Sequence, residues 1–173
     1  MLEIIKNRRS IRTYIDKKVE ESKIIEILKA AMQAPSSKNA QPWEFVIIDN
    51  KEILRQLSKS QHRAKHIEHA PVCIAVLGNR ERFLKPGKWM QDLGACTQNV
   101  LLEATNQGLA SCWVGTFPKV KVVNKVRDAL NLPENLVPYA LIPIGYSEEN
   151  HEFIDRFDQN KIHRNLYKND ESK

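Results

Sequence analysis

Three guanidinium groups and a hydroxyl fall within five residues near the start of the chain: Arg8, Arg9, Ser10 and Arg12. Guanidinium forks match the oxygens of a phosphate dianion, and a serine hydroxyl donates one more hydrogen bond. The group therefore suits the tail of a small phosphorylated ligand; a solvated basic turn following a helix is the other reading of the same residues. A second stretch, Ala34 to Trp43, carries Ser36, Ser37, Asn39 and Gln41 with Pro35 and Pro42 among them. Proline fixes φ, so this loop is stiff enough to keep polar groups directed at a flat polar ligand. Taken alone it is a helix-to-strand connection, and most of those bind nothing.

Other familiar chemistries are missing. The three cysteines, Cys73, Cys96 and Cys112, are odd in number, lack a C-x-x-C spacing and sit among apolar residues, which predicts reduced core thiols. His62, His66 and His69 could share a helix face, but no fourth ligand or orienting shell is suggested, so no metal is expected. Neither G-x-G-x-x-G nor a Walker loop occurs, so a nucleotide here is not held by a glycine-rich turn. The net charge is +6, with an excess of three basic residues in both 1–23 and 51–69. Such a surface attracts anions, yet aromatics make up 7% and none interleave with the basic stretches. No nucleic-acid partner is expected.

The elements that must position these residues follow from periodicity. Ile24, Ile27, Leu28 and Ala31 recur at helical spacing over Glu20 to Ala34, and Pro35 stops that helix. Glu44 to Asp49 reads as a strand, 51–69 as helical with Ile53 and Leu57 inward, and Pro71 to Leu77 as a strand buried on both faces. Met90, Leu93, Thr97, Val100 and Ala104 mark a long helix from Trp89 to Gln107. A strand over Ala110 to Gly115, a helix over Lys119 to Asn131 and a strand over Pro138 to Tyr146 complete the body, with 147–173 as a polar extended arm. Strands and helices do not alternate regularly, which predicts an α+β fold with a mixed, mostly antiparallel sheet flanked by helices, in a single domain over 1–173. With no long apolar run and no secretory leader, a cytoplasmic protein without a membrane span is expected.

The segments "NRRSIRTY", "AAMQAPSSKNAQPWEFVIID", "APVCIAVL", "QGLASCWVG", "IPIGY" and "DRFDQNKIHRNLY" occur in an order that resembles the FMN-dependent nitroreductase family, over nearly the whole chain. The short length is similar to the smaller homodimeric members. The resemblance implies FMN as cofactor, its phosphate and part of its ribityl chain and ring held by Arg8, Arg9, Ser10 and Arg12. It implies that Pro35, Ser36, Ser37 and Asn39 reach the flavin ring from the partner subunit, with Gln41 supporting that loop. Backbone amides of Val114, Gly115 and Thr116 are expected at flavin N5 and O4. Many members carry an acidic residue where this chain has Gly115, a change that a main-chain contact survives. Arg156, ahead of Lys161, is expected to complete the phosphate site, and Arg63 to meet the pyrimidine edge of the ring. Phe83 and Trp89 fall where relatives carry a substrate lid, and core packing is the competing role for them. Trp43 is expected in the core.

The activity so implied is hydride transfer from NADH or NADPH through flavin N5 to a nitroaromatic, a quinone or a similar electron-poor acceptor, by a ping-pong scheme. A homodimer is expected both from the resemblance and from apolar surface, because the Trp89–Gln107 helix and the arm together exceed what a monomer of this size exposes. A flavin-storage protein without turnover and a basic nucleic-acid binder are the rival classes.

Overall fold

The computed structural model describes residues 1–167, so the last six residues of the expected arm, 168–173, lie outside the described residues. Among the described residues five α-helices, α1 (Glu3–Asn7), α2 (Glu21–Met32), α3 (Lys51–Ser58), α4 (Lys88–Asn106) and α5 (Val120–Leu130), surround five strands. The strands are β1 (Trp43–Ile48), β2 (Val72–Asn79), β3 (Ala110–Ser111), β4 (Val114–Gly115) and β5 (Leu136–Gly145). All pair antiparallel in the order β1-β2-β5-β3, with β4 beside β5 on the same edge as β3. A single parallel bridge, Ser10 to Ser111, makes the sheet mixed.

Strand β2 is buried along its whole length, as its unbroken apolar run predicts. Its side chains alternate between two cores. Val72, Ile74 and Val76 join Ile142 and Ile144 of β5 against α2 and α4, whereas Cys73, Ala75 and Leu77 join Leu141 against α3 and α5. The helical spacings place the expected residues inward: Ile24, Ile27 and Ala31 on α2, and Leu93, Thr97, Val100 and Ala104 on α4. Trp43 belongs to the first core, and all three cysteines are free and buried.

Three differences from the sequence expectation have physical causes. Residues 51–69 are not one helix. Helix α3 ends at Ser58, whose hydroxyl donates to the Arg55 carbonyl, and a 3-10 segment follows over His62–His69. It is Leu54 rather than Ile53 that is buried beside Leu57. The strand expected over Ala110 to Gly115 is two short pieces. Between them Cys112 N donates to Pro143 O at 3.4 Å, and Pro143 has no N–H with which to complete the pair. Finally, the apolar face of α4 is covered within the chain itself, by the sheet and α2, so it is not the exposed surface expected to drive dimerisation. The arm is. Phe153, Ile154, Phe157, Ile162, Leu166 and Tyr167 are each between 49% and 78% exposed. The root of the arm is tied to the N-terminal segment, where Glu149 accepts from the Thr13 hydroxyl and pairs with His151 Nε2 at 2.8 Å.

Gly145, where β5 leaves the sheet, is a close approach of backbone to side chains. A Cβ added there would lie 2.6 Å from Pro71 Cδ and 3.0 Å from the Tyr14 ring. Neither the proline ring nor the half-buried tyrosine can swing aside. Gly145→Ala is expected to destabilise by about 1–3 kcal/mol, read as an earlier urea midpoint at unchanged slope.

Candidate functional site

The site begins at the open edge of the sheet. In an antiparallel ladder, alternate residues turn both backbone groups toward the neighbouring strand and the rest turn both away. Cys112 N donates to Pro143 O and Thr116 N donates to Tyr139 O, so residues 112, 114 and 116 face β5. Ser111, Trp113 and Gly115 face outward. At Ser111 the edge is covered, because its carbonyl accepts from Ile11 N at 3.1 Å. Past that bridge the N-terminal segment moves off, and the backbone of Trp113 and Gly115 is left facing a cavity of about 730 Å³.

This cavity is lined by Arg12, Arg63, Lys65 and Lys119, by His62 and His66, and, among the described residues, by no carboxylate. Gln61, Cys112, Trp113, Val114, Gly115 and Phe117 complete the wall. Arg12 is steered by its own backbone, Nη1 donating to Ser10 O at 3.1 Å. His66 Nε2 is buried without a hydrogen-bond partner among the described residues. Burial, then the charges of Arg12 and His69, hold this imidazole below its ordinary pKa. Cys112 is shifted up by burial, with Arg12 and then Arg8 pulling the other way, which fits an inert thiol rather than a redox partner. A wall of cations with an unpartnered buried nitrogen and outward amides fits a planar anionic ligand that accepts hydrogen bonds along one edge.

The expected site residues fall into two groups. Arg12, Arg63, Val114 and Gly115 line the cavity. Thr116 does not: it is fully buried, and its amide is committed to Tyr139. Of the three backbone amides expected at N5 and O4, only that of Gly115 turns outward. Ser10 is not in the wall but bridges Ser111, the residue before the wall residue Cys112, and Arg8 is close enough to Cys112 to act on its charge. Arg9 keeps Nη1 buried and unpartnered among the described residues. Sequence reading missed Gln61, His62, Lys65 and His66 as wall residues; the basic excess over 51–69 was their signal. It also missed Lys119 and Phe117.

The second group lies apart from the cavity wall within one chain. The loop carrying Pro35, Ser36, Ser37, Asn39 and Gln41 packs on the start of α4, where Ser37 N donates to the buried Asp92 carboxylate at 3.0 Å. Gln41 N donates to Ser36 Oγ at 3.0 Å, and the Gln41 side chain to Asn39 Oδ1 at 2.8 Å, so Gln41 does brace the loop. Lys38, Asn39 and Gln41 all adopt positive φ, at 52°, 56° and 46°. Left-handed backbone costs a non-glycine residue roughly 1–2 kcal/mol, and three such residues together mark a loop held in shape against its own preference. Pro35 and Asn39 are exposed. Arg156 and Lys161 are exposed on the arm and do not reach the cavity of their own chain. Trp89 is core: it stacks on Phe83 at 4.5 Å and meets Phe117 edge-on at 4.8 Å. Among the described residues there is no group of three potential metal ligands, and no helix is long and apolar enough to cross a membrane.

A family model described as "Nitroreductase family" matches residues 5–65 and 55–146. A Methanothermobacter thermautotrophicus protein provisionally named NADH dehydrogenase/NAD(P)H nitroreductase is 39% identical over 163 residues, covering 94% of this chain and 85% of its own. Among solved structures, one provisionally called an NADH oxidase from Clostridium acetobutylicum is 42% identical with a TM-score of 0.92, covering 95% of this chain and 100% of its own. An FMN-dependent nitroreductase from Clostridium difficile is 32% identical with a TM-score of 0.89, over 96% of this chain and 100% of its own.

Proposed function

The chain belongs to the nitroreductase family, and from that premise we propose that it is an FMN-dependent oxidoreductase, taking hydride from NADH or NADPH and passing it to an electron-poor acceptor such as a nitroaromatic or a quinone. The observation that carries this reading is the cationic cavity, with no carboxylate among the described wall residues, against a strand edge whose Trp113 and Gly115 amides turn outward. FMN, when bound, supplies two-electron chemistry at its N5. The protein's own residues supply placement and charge. Arg12 on the wall, with Arg8 and Ser10 from the same N-terminal segment, grips the phosphate. Arg63 and Lys65 put positive charge where the reduced ring becomes anionic, which favours its reduction without a proton from any side chain, and the buried, unpartnered His66 imidazole offers a hydrogen bond beside them. The outward Gly115 N–H offers a donor to the reacting edge.

Pro35, Ser36, Ser37 and Asn39 serve the partner's cavity rather than their own, in a homodimer whose arms cross between subunits and bring Arg156 to the opposite phosphate. Their separation from the home cavity and the exposed apolar arm support that arrangement. Donor and acceptor then use one face of the site in turn, and steady-state kinetics are ping-pong. The purified protein is expected to be yellow and to lose its flavin absorbance within a turnover time when NADH or NADPH is added without oxygen. Retained colour after either donor would leave a flavin-storage protein instead. A colourless protein that takes up no added FMN would end the reading altogether.

A further inference from the structure

Gln61 opens the 3-10 segment that follows α3, and its side chain lines the cavity. Its Nε2 donates to the carbonyl oxygen of Gly115 at 2.8 Å, across 54 residues of sequence. That carbonyl belongs to the peptide whose other end, Thr116 N, donates to Tyr139 O at 3.0 Å. The peptide is therefore pinned on both sides, to the sheet by its N–H and to the cavity wall by its oxygen.

The pinning matters because the residue is glycine. Glycine samples more of φ/ψ space than any other residue, and nothing crowds this one: a Cβ there would have Trp113 Nε1 as its neighbour, at 4.0 Å. Strand β4 is two residues long and lies at the sheet edge, so the ladder restrains Gly115 from one side alone. The amide that the proposed function needs is the N–H of this same residue. We propose that Gln61 is a positioning residue for the reacting edge of the cofactor: by holding the Gly115 carbonyl it sets the direction of the Gly115 N–H. The inference rests on the FMN reading above and deepens it. Gln61 does not itself take part in hydride transfer.

The test replaces the donor while keeping the shape. In Gln61→Glu an ionised carboxylate fills the same space but cannot donate to a carbonyl and repels it; Gln61→Ala removes the group. Gln61→Ala should bind FMN within about threefold of wild type; Gln61→Glu, which adds a carboxylate to the cationic wall, should bind it more weakly and is therefore assayed at saturating FMN. Both should show a shifted nitrogen NMR resonance for isotope-labelled flavin N5, and reduction by NADH about tenfold slower at unchanged KM, the size of one lost hydrogen bond. As pH is lowered through the carboxyl titration, Gln61→Glu regains a donor and its rate should recover toward wild type, while Gln61→Ala should not. In the FMN-free protein, hydrogen exchange at the Gly115 amide should be fast, and FMN should slow it without altering Thr116. A FMN-loaded Gln61→Glu with wild-type N5 resonance and rate would overturn the inference and leave the FMN reading standing. Wild-type protein that takes up no FMN would overturn the reading itself.

Discussion

Arg12→Ala is expected to weaken FMN binding by roughly 10- to 100-fold, the loss that follows from removing a charge-assisted contact of about 1.5–3 kcal/mol. The side chain is exposed along one side, so the lower part of that range is favoured. Arg12 is nevertheless the cation that the local backbone aims most directly, through its contact with Ser10 O, and the one whose charge is felt by both His66 and Cys112. Removing Arg8 as well leaves Lys65 and Lys119 to balance a dianion as point charges, with the one fork left on the wall, Arg63, assigned to the ring rather than to the phosphate. The double variant should emerge colourless from purification. Titration of FMN-free protein, followed by flavin absorbance or fluorescence quenching, gives the affinity directly. Raising salt should cost wild type more than Arg12→Ala, since the variant has one charge fewer to screen. Arg12→Lys should fall between the two, keeping the charge and losing the fork. An affinity unchanged in Arg12→Ala and in the double variant would place the phosphate elsewhere.

Much of the frame was legible in the sequence because it depends on local pattern. The alternation of β2 and the helical spacing of α2 and α4 assign each apolar side chain to a face before any tertiary contact is known. The Arg8–Arg12 cluster was legible as chemistry because three guanidiniums that close in sequence stay close in any fold. What could not be read is what a ladder decides. Whether Val114, Gly115 or Thr116 offers a free amide is a matter of parity against β5, and parity depends on register with residues 139–143, far along the chain. The same holds for Gln61, an unremarkable polar residue until the 3-10 segment brings it to the Gly115 carbonyl. Helix α4 was misjudged as an exposed face because periodicity reports that a helix has an apolar side, not which surface covers it.

That last point shifts the argument for two-chain sites onto the loop and the arm, and a mixing experiment addresses it. The cavity wall and the Pro35–Asn39 loop do not meet within one chain, and the loop is stiffened by its contacts to Asp92, Ser36 and Gln41 while Pro35 and Asn39 stay exposed. If each site combines the cavity of one subunit with the loop of the other, two crippled variants should repair each other. Arg8→Ala/Arg12→Ala loses the cavity side, and Asn39→Ala loses a loop contact; each homodimer has both sites damaged. Co-refolding equal amounts gives about half hybrids by random pairing. In every hybrid one site pairs the sound cavity of the loop variant with the sound loop of the cavity variant, and the other site carries both defects. Activity should therefore return to roughly a quarter of wild type, and hybrids isolated with two affinity tags should reach about half. Were the loop to serve its own chain, every hybrid site would keep one defect, and the mixture would do no better than the mean of its parents.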